Sequence, residues 1–162
     1  MRPGKTGKID CMNRMSRRQM LLMMSMCAAA SSALRAQQPL KIDVYKDPTC
    51  GCCVNWVAHL RKNGFVVHSE DVADINGIKT KYNVPAALRS CHTGVVNGYV
   101  IEGHVPAADV KRLLTTRPAD IVGLAVPGMP VGSPGMEGSS PQAYQVLAFD
   151  KGGRSSIFAT YR

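Results

Sequence analysis

The chain has 162 residues, 45% of them apolar and 19% charged, with a formal net charge of +9. That length and apolar share exclude a disordered polyelectrolyte and are enough for one domain with its own core. Seven of the 20 Lys+Arg and one of the 11 Asp+Glu precede residue 37, which leaves thirteen basic against ten acidic side chains beyond it; with no basic stripe interleaved with aromatics, a nucleic-acid partner has no support.

In chain order, Arg14, Arg17 and Arg18 come first, then an apolar run from Met20 to Ala30 and small residues as far as Ala36. A run of about 11 residues is short of the ~20 that span a bilayer. Residues 1–36 are therefore expected to be a removable export signal, cut between Ala30 and Ala36, with no stable membrane insertion afterwards. Ser16-Arg17-Arg18-Gln19-Met20-Leu21 resembles a twin-arginine signal, a route taken by folded and often cofactor-bearing proteins. This predicts a periplasmic protein. Met26 stands before Cys27, where a lipobox needs a small residue, so lipidation is not expected. The seven methionines up to Met26 serve signal hydrophobicity or lie upstream of the signal.

Residues 37–162 are expected to form a single domain. Leu40 to Tyr45 alternates and reads as a strand, closed by Lys46-Asp47-Pro48. Val54, Val57, Ala58, Leu60 and Arg61 follow helical spacing from Cys52 until Asn63-Gly64 stops the helix, so the thiols before them lie at a helix N-terminus. Phe65 to His68 reads as a second strand and Ala73 to Lys81 as a short helix. Thr93 to Val96, Asn97-Gly98 and Tyr99 to Glu102 spell a hairpin, because Asn-Gly supplies the positive φ angles of a two-residue turn. A helix follows from Pro106 to about Thr116.

The order β-α-β-α-β-β-α is that of a thioredoxin-like α/β fold, a mixed sheet with flanking helices. Pro85 stands where such proteins place a cis proline facing the active thiols. Beyond Pro118, glycine and proline crowd Pro127 to Met136, which reads as an ordered loop without regular structure. Tyr144 to Phe149 and Ser155 to Tyr161 form a C-terminal β-hairpin that extends or covers the sheet.

Four cysteines lie beyond the signal: Cys50, Cys52, Cys53 and Cys91. Cys50 and Cys53 form a CxxC pair where the helix dipole and free N–H groups favour thiolate, so a lowered thiol pKa is expected. Three readings are open. Structural disulfides suit an oxidising compartment, but adjacent and CxC cysteines close strained rings, which leaves Cys50–Cys53 as the one relaxed bridge and Cys52 to find Cys91. A thiol-disulfide oxidoreductase uses the Cys50/Cys53 pair, Cys50 as nucleophile and Cys53 as resolving thiol, and has no use for Cys52. Soft-metal binding uses all of them, since crowded thiolates bridge several Cu(I) ions. Four thiolates around one Zn²⁺ keep two negative charges, whereas four Cu(I) ions neutralise them.

The motifs Asp47-Pro48-Thr49-Cys50-Gly51-Cys52-Cys53 with Trp56 and His59-Leu60, Tyr82 to Pro85, Ser90 to Thr93, Gly98 to Pro106, Val126 to Pro130 and Gly132 to Met136 resemble the CopG-type periplasmic copper-response family. This family is unrelated to the plasmid repressor of that name. The resemblance covers roughly Leu40 to Glu137 and excludes the C-terminal hairpin. It implies a thioredoxin-like fold and a multinuclear copper cluster on Cys50, Cys52, Cys53 and Cys91. It also implies a role in copper resistance by redox interconversion of copper; the thiol set equally fits sequestration or transfer, with other periplasmic copper-resistance proteins as expected partners. No substrate turnover is legible.

Four secondary candidates accompany the cysteines. His92 adjoins Cys91 and is placed either to ligate copper or to bond a thiolate, or else is a polar loop residue. His104 precedes a helix in a shared motif and suits support of the site, capping or packing. Met129 and Met136 are thioethers suited to Cu(I) capture or to plugging the core beside their loop. Trp56 is expected to pack in the core or at its rim, and His59 and His68 to be solvated or packed.

Overall fold

A computed structural model describes residues 39–162. The export signal expected over residues 1–36 lies outside the described residues. Strand β1, Leu40–Lys46, buries Ile42, Val44 and Lys46 on one face, as its alternation requires. Helix α1, Gly51–Lys62, turns Cys53, Trp56, Val57 and Leu60 inward and ends at Asn63, whose N–H reaches the Leu60 carbonyl at 3.0 Å. Strand β2, Phe65–Asp71, runs parallel to β1. Helix α2, Ile75–Lys81, is capped by Asp74, whose carboxylate accepts the Gly77 N–H at 2.8 Å.

Strands β3, His92–Val96, and β4, Tyr99–Glu102, form the expected hairpin, with Asn97 at φ 49 and Gly98 at φ 85 in its turn. Helix α3, Ala107–Thr116, follows. The chain then adds β5, Gly123–Ala125, β6, Tyr144–Phe149, and β7, Ser155–Tyr161. The sheet order is β2-β1-β3-β4-β5-β6-β7, with β3 antiparallel to both β1 and β4. The first four strands and three helices make the thioredoxin-like core. Trp56 and Leu60 of α1 share one buried cluster with Ile42 and Val44 of β1 and with Val110 and Leu113 of α3.

Two expectations need correction. The segment after Pro118 does contain regular structure: β5 pairs parallel to β4 and antiparallel to β6, and so joins the C-terminal hairpin to the sheet edge. Three residues amid glycine and proline are too few to show a strand period. Second, the Val84–Pro85 bond is trans, like every peptide bond described. Pro85 leads into a 3-10 turn over Ala86–Leu88, and the residue directly before β3 is Cys91.

Among the described residues, no helix is long and apolar enough to cross a membrane.

Candidate metal centre

The turn into α1 is shaped by Asp47, whose Oδ1 accepts the Thr49 N–H at 2.7 Å and its hydroxyl at 2.5 Å. The Thr49 hydroxyl and N–H hold the Asp47 carboxyl below its usual range. The Asp47 carbonyl in turn accepts the Cys50 N–H at 3.1 Å. Cys50 is the N-cap residue; it makes no side-chain cap and the first turn holds no acid, so nothing there opposes negative sulfur at the positive end of the helix.

Cys50 and Cys53 are joined in a disulfide with Cα atoms 5.4 Å apart, while Cys52 and Cys91 are free. The Cys50 and Cys52 sulfurs lie 3.5 Å apart. The lowered thiol pKa expected at the helix N-terminus concerns Cys50 and Cys53, which do not titrate in this state.

Cys91 approaches from the opposite wall, at the start of β3. The sulfurs of Cys50, Cys52, Cys53 and Cys91 all lie within 4.8 Å of one another, so positions far apart in the chain converge on one point. Burial, and after it the neighbouring Cys52, push the Cys91 thiol up to about 12. Without a cation, this pocket keeps Cys91 protonated.

Both candidate histidines meet the same sulfur. His92 Nδ1 and His104 Nε2 each lie 3.1 Å from Cys91 Sγ, and the two rings stand edge-on with centroids 5.0 Å apart. Both side chains are fully buried. Burial holds each imidazole below its usual range, well below for His92, where His104 and Lys79 add to the effect. Trp56 packs its ring against His92 at 4.3 Å and donates its indole N–H to the Val105 carbonyl at 2.9 Å. His59 accepts the Ala107 N–H at 3.1 Å and so caps α3, and His68 is exposed beside Asp43.

The Gly/Pro loop covers the site. The Pro134 carbonyl accepts the His104 Nδ1–H at 2.8 Å, and the Gly128 carbonyl accepts the Ser90 hydroxyl. Gly135, at φ +87, lies against α1 so closely that a Cβ there stands 2.7 Å from Trp56 N and 2.9 Å from Cys52 O. In the same loop Met129 is 52% exposed and Met136 is half-buried.

One network was not foreseen. Glu102 of β4 and Lys79 of α2, both buried, pair at 2.6 Å. Glu102 also accepts the Ser90 N–H at 2.6 Å and the Thr93 hydroxyl at 2.7 Å. The carboxylate thereby fixes the backbone just before Cys91 and the side chain two positions after it. A glutamate within the buried strand Tyr99–Glu102 was the available signal; nothing in the sequence pointed to Lys79.

These features define a thioredoxin-like protein whose cysteine helix faces a fourth cysteine and two buried histidines across a candidate metal centre. Two solved structures resemble it over most of its length. "Copper resistance protein copG", form 2, shares 51% identity at a TM-score of 0.73 and covers 77% of this chain and 100% of its own; form 1 shares 51% at 0.72, covering 76% and 98%. Residues 88–136 match a family described as "Protein of unknown function, DUF411". Comparison with the curated proteins finds no significant match. The chain belongs to the family of copper resistance protein CopG.

Proposed function

We propose that the protein acts in copper resistance in the periplasm, holding copper as a multinuclear Cu(I)–thiolate cluster on Cys50, Cys52, Cys53 and Cys91. Copper is here the cargo. The observation that carries this reading is the meeting of four sulfurs from opposite walls of the fold within 4.8 Å of one another. Thiolate is the softest donor a protein offers, and close-set thiolates bridge Cu(I) ions rather than enclose a single harder cation. The buried cations among the described residues, Lys46 and Lys79, are already paired with Asp71 and Glu102, so the positive charge that balances four ionised thiols comes from the bound ions.

Sequestration, transfer to other periplasmic copper-resistance proteins and redox interconversion are all compatible with such a cluster. The test is a Cu(I) titration of the reduced protein without oxygen, alongside Cys52→Ser and Cys91→Ser. Several ions per chain, reduced sharply by either substitution, are expected. One ion or none in the wild type rejects the cluster.

The Cys50–Cys53 disulfide favours a second reading, a thiol-disulfide oxidoreductase with Cys50 as nucleophile. It predicts rapid exchange of that bond with small thiols in metal-free protein and indifference to Cys52→Ser.

A further inference from the structure

We propose that Cys91, His92 and His104 form a copper site in their own right, a two-nitrogen, one-sulfur set that holds a single copper ion while the Cys50–Cys53 disulfide is closed. The inference rests on the reading above for the identity of the metal and for nothing else. Its donor atoms are Cys91 Sγ, His92 Nδ1 and His104 Nε2, which lie within 4.8 Å of one another, the sulfur 3.1 Å from each nitrogen. An ion bonded to nitrogen at about 2.0 Å and to sulfur at about 2.3 Å separates such donors by roughly 3.3–3.8 Å. Each sulfur–nitrogen distance therefore has to open by only about half an ångström.

Proton accounting favours an ion at this point. The Pro134 carbonyl only accepts, so the Nδ1 of neutral His104 carries the proton and its Nε2 presents a lone pair to Cys91. The single S–H goes to that lone pair. His92 is then left either to donate Nδ1–H to the sulfur or to present a second lone pair to a thiol with no proton left. Its other nitrogen, Nε2, is the one buried side-chain N or O atom among the described residues without a hydrogen-bond partner. With its proton on Nε2, His92 turns the Nδ1 lone pair towards Cys91 Sγ. A metal ion replacing the thiol proton takes the sulfur and both lone pairs at once.

None of the three donors lies on the cysteine helix. Closing the disulfide withdraws two of the four clustered thiols but none of these three donors, and the structure shows them converged with that bond closed. Two of their supports also come from elsewhere: Glu102 holds Ser90 before Cys91, and Pro134 orients His104. Two imidazoles and a thiolate form the donor set on which copper is stable in both its common valences. The disulfide form should thus keep a capacity of one ion where the reduced form holds several.

The test uses the disulfide-intact protein, in which Cys52 and Cys91 are the free thiols among the described residues. Cobalt(II), which does not oxidise thiols, is titrated first, and Cu(I) is then measured by competition with a chromophoric chelator. One ion per chain is expected, with a sulfur-to-cobalt charge-transfer band. The band should survive Cys52→Ser and the double change Cys50→Ser, Cys53→Ser. His104→Gln and His92→Gln should each weaken binding by at least about 10-fold. No uptake by the disulfide form overturns the proposal, as does a band lost in Cys52→Ser and kept in both histidine variants. The cluster reading is judged separately, by the stoichiometry of the reduced protein.

Discussion

The position of Cys91 is set by groups outside the cluster of cysteines and histidines. Glu102 is the acceptor for Lys79, Thr93 and the Ser90 N–H, and both members of its ion pair are buried. Removing one charge of such a pair leaves the other uncompensated in a low-dielectric interior, which costs far more than the pair is worth when intact. Glu102→Gln is expected to lower stability by about 3–5 kcal/mol in denaturant unfolding, and Lys79→Met combined with Glu102→Gln to recover much of that loss. If the single variant is as stable as wild type, Lys79 is not held as a buried cation. No local pattern announces this pairing, because its partners are 23 residues apart and on different elements, where no periodicity links them. The four cysteines were legible one by one, but the placement of Cys91 opposite α1 came from a family resemblance rather than from spacing. His92 and His104 were named singly, one for adjacency and one for its motif. Their meeting on a single sulfur needed the fold.

At the level of elements, local chemistry was readable wherever it was strong. Alternation marked β1, Asn63-Gly64 ended α1, Asn97-Gly98 made the β3–β4 turn, and β6 and β7 fall on the residues expected of them. Strand β5 is not legible in the sequence because three residues cannot show a period, and the composition of the site's cover spells only a loop. That cover is what binds the Gly/Pro segment to the cysteine helix. Gly135 has φ +87 and lies against Trp56 N and Cys52 O, whereas Gly128 has φ +69 with no atom within 4 Å of its missing side chain. Both substitutions to alanine incur the left-handed backbone penalty of about 1–2 kcal/mol. Only Gly135→Ala also drives a methyl into α1. Gly135→Ala is therefore expected to be the more destabilising of the two in urea unfolding. It should also weaken copper retention by displacing the Pro134 carbonyl from His104. Equal effects from the two alanines would mean that the loop does not bear on the helix.

For the molecule as a whole, the buried histidines tie stability to pH. His92 and His104 have folded-state pKa values below the usual value of about 6.5, because burial penalises the imidazolium; half-buried His59 shifts the same way for the same reason. The unfolded chain takes up protons near pH 6.5 while the fold refuses them, so below that pH the unfolded state binds more protons and is favoured. The contribution is fully present above about pH 6.5 and is lost as pH falls towards the lower folded-state values. Each imidazole kept neutral steepens the loss by up to about 1.4 kcal/mol per pH unit. Asp47, Glu137 and Asp150 have lowered carboxyl pKa values, so they act in the acid range below this window. The melting temperature of the metal-free protein should accordingly be flat near neutrality and fall between about pH 6.5 and 5. His104→Gln, which removes one of these protonation sites, should make that fall shallower. A melting temperature that holds constant through the window means that the imidazoles protonate inside the fold. In that case the pocket around Cys91 is wetter and more open than its packing against Trp56 and the Gly/Pro loop implies.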